Sequence, residues 1–126
     1  MPKRSVNGAD EYIGKQIRSR RLFADMSQEE LGAALGVTFQ QIQKYEKGVN
    51  RVSTATLMLI GQSLKCDPSE LMPPPDGRRH NDPEAIELQD FMATREGIAI
   101  ARAFKVMSED VRSHFVKLAQ KVATTA

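Results

Sequence analysis

The sequence predicts an all-α fold, and three observations carry that expectation. Apolar residues recur at spacings of three and four, as in Ile13/Ile17, Leu57/Ile60/Leu64 and Val111/Phe115/Leu118/Val122. Helix-opening residues precede these runs: Ser27, Thr38, Asp67-Pro68, Asp82-Pro83, Thr94 and Ser108. No stretch alternates apolar and polar residues with the period of a strand.

Residues 1–9 are polar and include Pro2, Lys3, Arg4 and Gly8, so we expect a flexible N-terminal arm. Such a basic arm can follow a DNA groove. Asp10 is read as the cap of a first helix running to Ala24. Ile13 and Ile17 share one face, with Ala24 further on. Arg18, Arg20 and Arg21 come late, where cations suit the helix dipole.

The stretch Ser27–Gly48 reads as two short helices around a tight turn. Ser27-Gln28-Glu29-Glu30 forms a capping box. Leu31, Ala34 and Leu35 mark the buried stripe, Gly36 suits a left-handed helix end, and Val37 plugs the corner. Thr38-Phe39-Gln40-Gln41 opens the second helix with another box, and Gly48 stops it. Ile42 and Tyr45 fall on one face. Phe39, Gln40, Gln43, Lys44 and Lys47 fall on the other, which carries no acid. Glutamine pairs bidentately with adenine, lysine reaches guanine or phosphate, and an aromatic ring touches a thymine methyl. That face is suited to a major groove.

Residues 49–53 form a polar loop, and Ser53 or Thr54 caps a fourth helix with Leu57, Ile60 and Leu64 inward. Met58 and Leu59 lie off that stripe. Cys66 reads as a small buried hydrophobe, and Leu71 seals a last short helix begun by Asp67-Pro68.

Residues 12–72 resemble the lambda-repressor-like, Xre-type helix-turn-helix family. The residues that carry the likeness are IGKQIRSRR, SQEELGAALGVTFQQIQKYEKG and LMLIGQSLKCDPSEL, in that order and spacing. The resemblance implies a five-helix domain over 10–72 that binds double-stranded DNA. It implies a structural ion pair between Arg21 and Glu46, and a small residue at Gly32 where helices cross closely. It also implies DNA-backbone contacts from Gln28, Thr38, Lys47, Asn50, Arg51 and Ser53. Phe39, Gln40, Gln43 and Lys44 are then the residues expected to read base edges.

Composition changes at Met72. Residues 73–81, rich in proline, read as a linker, and 82–126 as a helical extension. Its apolar residues include Ile86, Leu88, Phe91 and Met92, then Ile98, Ile100, Phe104 and Met107, then Val111, Phe115, Leu118 and Val122. Three short helices expose such stripes unless something covers them. We expect a small dimerisation unit that joins two copies through Phe91, Ile98, Phe104, Val111, Phe115, Leu118 and Val122. The competing expectations are that the extension packs back on the DNA-binding domain of the same chain, or that it is an antitoxin-like module holding another protein.

The totals set limits on these readings. With 126 residues there is room for one small domain and its extension. The net charge is only +2, so a basic footprint must come from arrangement. A single cysteine excludes an intrachain disulfide and suits the cytoplasm. No apolar run has the length of a signal peptide core or a membrane span. Two histidines and Cys66 are too scattered for a metal site, and no phosphate loop or nucleophile motif occurs. The expectation is therefore a cytoplasmic, cofactor-free DNA-binding protein, not an enzyme.

Overall fold

The capping residues set the helix starts. The computed structural model describes residues 8–74 and 82–125. Most of the expected arm (1–9) and of the proline-rich linker (73–81) lies outside these. Seven α-helices and one 3-10 helix occur among the described residues: α1 Gly8–Phe23, α2 Gln28–Leu35, α3 Phe39–Glu46, α4 Thr54–Leu64, the 3-10 helix Pro68–Leu71, α5 Pro83–Met92, α6 Arg95–Val106 and α7 Glu109–Thr125. The fold of the described residues is all-α, as the periodicity predicts. Among the described residues no helix is long and apolar enough to cross a membrane.

Local chemistry explains the boundaries. Both halves of the Ser27/Glu30 capping box form, at 3.0 Å each. The Ser27 backbone N–H, and then its hydroxyl, hold the Glu30 carboxyl below its ordinary value. That half of the box is therefore complete at neutral pH and is lost as the pH falls through the lowered value. Gly36 ends α2 at φ 73°, a left-handed conformation that costs glycine nothing. Thr38 Oγ accepts the Gln41 N–H at 3.2 Å, the hydroxyl half of the second box. At α4, where two caps were open, Ser53 takes the position. Asp10 is not the cap of α1. The helix begins two residues earlier, and Asp10 sits buried in its first turn.

The core joins α1–α4 and the 3-10 helix. Ile17, Leu31, Ile42, Ile60 and Leu71 are 0% exposed, and Leu57 and Leu64 complete the cluster. Ala24 and Ala34, expected on buried stripes, are exposed. An alanine offers too little apolar area to decide which way a helix turns. A side chain added at Gly32 would meet the Val37 carbonyl at 2.7 Å, so the close approach there is the turn entering α3. Cys66 is half-buried against the core, and burial pushes its thiol up from the usual value. A raised thiol makes a poor nucleophile.

The extension divides into two parts. α5 and α6 lie against α1 of the same chain. Ser19 Oγ donates to the Met92 carbonyl at 2.6 Å, and Gln89 Nε2 donates to the Tyr12 carbonyl at 3.0 Å. Lys15 pairs with Asp90 at 2.5 Å. Arg102 donates to the Phe23 carbonyl and lies over the Phe23 ring. Ile98, expected on a face for a second copy, is only 4% exposed within its own chain. α6 packs on α1 as well as on α5, where the bare Cα of Gly97 lets it close on the Phe91 carbonyl, and Ile98 is covered within its own chain.

α7 stands apart, with no buried residue along its 17 positions. Its ties to α6 include an edge-on contact between Phe104 and Phe115, 6.5 Å between ring centres, two bonds from Arg112 to the Phe104 and Lys105 carbonyls, and the Arg112 guanidinium over the Phe104 ring. Phe91, Val111, Leu118 and Val122 remain exposed.

Candidate nucleic-acid interface

α3 is positioned by two helices. α1 and α2 both pack on it, and Ile42 anchors its inner face at 0% exposure. Its outer face then presents Phe39, Gln40, Lys44 and Lys47 to solvent, with Gln43 half-buried beside them. The one acid of the helix, Glu46, points inward. The surface is therefore a cationic, amide-bearing face with a large exposed ring. It offers two amide groups for base edges and two ammonium groups for guanine or phosphate.

Below α3 lies a buried polar network. Arg21 Nε and Nη2 donate to the two carboxylate oxygens of Glu46 at 2.6 and 3.0 Å. The two side chains are 2% and 3% exposed. Arg21 also donates to the Met26 carbonyl at 2.9 Å, so one guanidinium ties α1 to the α1–α2 corner and to the end of α3. Gln28 Nε2 donates to Glu46 Oε1 at 3.0 Å, and Arg18 Nη1 lies 3.6 Å from the same oxygen.

The residues expected to touch the DNA backbone are not all equally free. Lys47 is exposed. Thr38 accepts a bond through its oxygen but keeps its hydroxyl proton available to an anion. Ser53 accepts from the Thr56 N–H and donates to Thr56 Oγ1 at 2.9 Å, so its proton is engaged. The Asn50 N–H is directed at the Lys44 carbonyl, 3.4 Å away. Arg51 forms a fork on Asp10, with Nε 3.2 Å from Oδ1 and Nη2 3.3 Å from Oδ2. Sequence reasoning missed Asp10 in this role, because an acid at a helix start already has a local explanation as a cap. It also missed Arg18, whose partners come from distant parts of the chain.

Comparison with known proteins bears on this geometry. A helix-turn-helix family model matches residues 17–71. The chain is 38% identical to an HTH-type transcriptional regulator of Sinorhizobium fredii, over 95% of this chain and 90% of that protein. A second regulator from the same organism is 43% identical, over 90% of this chain and 85% of its own length. An HTH-type transcriptional regulator of Sinorhizobium medicae is 41% identical, over 98% and 95% respectively. No solved structure matches the chain. The likeness to these regulators spans both the helix-turn-helix and the extension. The chain thus belongs to the DNA-binding helix-turn-helix transcriptional regulators of the lambda-repressor-like, Xre type.

Proposed function

We propose that the protein is a sequence-specific repressor that acts in the cytoplasm as a homodimer on an inverted-repeat operator, without catalysis or a cofactor. The outer face of α3 carries this reading: Phe39, Gln40, Lys44 and Lys47 exposed, Gln43 beside them, and the acid turned inward. Phe39, Gln40, Gln43 and Lys44 read base edges. Lys47, Gln28, Thr38, Asn50, Arg51 and Ser53 position the protein on phosphates. Arg51 does so while Asp10 orients its fork. The test is capture of fragmented genomic DNA by the purified protein near physiological salt, followed by sequencing. A few enriched sites with inverted half-sites about 34 Å apart, or a multiple, are expected. Broad recovery without a shared motif would contradict sequence-specific reading.

Two substitutions separate base reading from phosphate binding. Gln40→Ala costs about 1–3 kcal/mol on the enriched site and relaxes preference at one base pair. An equal loss on random duplex would show that Gln40 does not read bases. Lys47→Ala weakens binding to all sequences alike and reduces the salt slope by about one unit. Titrations at several salt concentrations check this.

The exposed stripe of α7 supports self-association. Val111, Leu118 and Val122 are 49%, 60% and 58% exposed and share one face with Phe115. A lone helix of this length is marginal in water without packing. Sedimentation is expected to show a dimer, and Leu118→Asp is expected to give a folded monomer, because Leu118 is 60% exposed within its own chain. A wild-type monomer would move the reading to the antitoxin-like alternative, in which these helices hold another protein.

A further inference from the structure

Glu46 Oε1 is surrounded by three donors. Arg21 Nη2 and Gln28 Nε2 each lie 3.0 Å away, and Arg18 Nη1 lies at 3.6 Å. A carboxylate oxygen offers two lone-pair positions, so the third donor competes with the other two. Arg21 is fixed, because its second bond to Oε2 is 2.6 Å long and its head is buried. The adjustable members are Gln28 and Arg18.

Arg18 has a second attachment. Its Nε donates to the Ala93 carbonyl at 2.7 Å, in the corner between α5 and α6. That corner is seated on α1 by Ser19 on Met92, by Gln89 on Tyr12 and by the Lys15–Asp90 pair. Among the described residues, Arg18 is the side chain bonded to the extension that also reaches the carboxylate at the end of α3. Its guanidinium is a planar fork, so holding Nε on a carbonyl restricts where Nη1 can go.

We propose that Arg18 is a positioning residue: the docked α5–α6 corner holds it back from Glu46, and so sets how firmly Glu46 retains Gln28. With the corner seated, Arg18 stays at 3.6 Å and Gln28 keeps its bond. With the corner displaced, Arg18 moves onto Oε1, since a charge-assisted bond displaces a neutral amide. The Gln28 amide, in the first turn of α2, is then free to turn to a DNA phosphate. The extension in this way tunes the DNA-binding face through Arg18. This last step rests on the phosphate role proposed above for Gln28; the coupling itself does not.

The test uses the full chain labelled with nitrogen-15 and no DNA. Ser19→Ala combined with Gln89→Ala removes two bonds that seat the corner and leaves Arg18 in place. Solvent exchange of the Gln28 side-chain amide is expected to quicken by about fivefold or more. In an Arg18→Met background the same pair is expected to leave that exchange unchanged. Melting of every variant is followed in parallel, and Asp90→Asn serves as a milder way to loosen the corner. A merely structural Arg18 would change melting but not this dependence. Unchanged Gln28 exchange in the double variant, or an equal change in the Arg18→Met background, overturns the proposal. Affinity for a random-sequence duplex is then expected to rise in the double variant, and the rise to vanish with Gln28→Ala. A rise that persists with Gln28→Ala would reject the phosphate role of Gln28 and leave the coupling standing.

Discussion

Replacing Arg21 with alanine is expected to destabilise the chain by about 3 kcal/mol, the lower end of the 3–5 kcal/mol range for breaking a buried ion pair. Glu46 would remain with its side chain 3% exposed and its bidentate partner gone. An uncompensated buried carboxylate is costly because the interior cannot solvate it. Arg18 and Gln28 still reach Oε1, which is why the loss falls at the lower end. For a domain of this size the melting temperature should drop by roughly 10–20 °C. Thermal and urea denaturation measure it, and an unchanged melting temperature would rule out a structural role for the pair. The double replacement Arg21→Met with Glu46→Leu is the informative control. It removes both charges, so it is expected to lie closer to wild type than Arg21→Ala alone. That ordering follows from desolvation. A pair that stabilised chiefly through attraction would leave the two variants about equally destabilised, since both lose the same attraction.

The parts of the fold that were legible in the sequence are those set by neighbours a few residues apart. The Ser27/Glu30 box, the Thr38 hydroxyl cap and the Leu57/Ile60/Leu64 stripe need only local spacing to be read. Arg21 and Glu46 stand 25 positions apart and meet because α1 crosses α3, so that pair was implied by the family resemblance and not by local spacing. Arg18 and Ala93 stand 75 apart. Nothing periodic links such positions, and a polar face is read as solvated until a partner covers it. For the same reason the sequence could not divide the extension: α5 and α6 carry apolar residues that fit a second copy as well as α1. Ile98 is covered within its own chain because α6 packs on α1, a contact between segments that no local spacing announces. In the candidate site, the chemistry of the α3 face was legible from composition. The engagement of Arg51 by Asp10 was not, because it depends on where the loop after α3 lies against the start of α1.

Gly14→Val tests whether α1 sets the position of α3. A side chain at Gly14 would collide with the Tyr45 carbonyl and would stand 2.6 Å from the Glu46 carbonyl oxygen and 2.9 Å from its carbon. These obstacles are backbone atoms and cannot rotate away, so α3 must retreat from α1. The expected cost is about 3 kcal/mol, the upper end of ordinary overpacking. Gly14, Ile17 and Arg21 are all buried along α1 at spacings that keep them on one face. The retreat therefore also stretches the Arg21–Glu46 pair and shifts the outer face of α3 relative to α2. DNA affinity should fall even at temperatures where the variant is fully folded. Gly36→Ala supplies the contrast. Gly36 has φ +73° with nothing within 4 Å of an added side chain. Its replacement costs about 1–2 kcal/mol of backbone strain and displaces no helix. Gly36→Ala is thus expected to lower the melting temperature and leave affinity of the folded protein intact. If Gly14→Val lost stability but kept wild-type affinity when folded, α3 would be held in register by α2 alone.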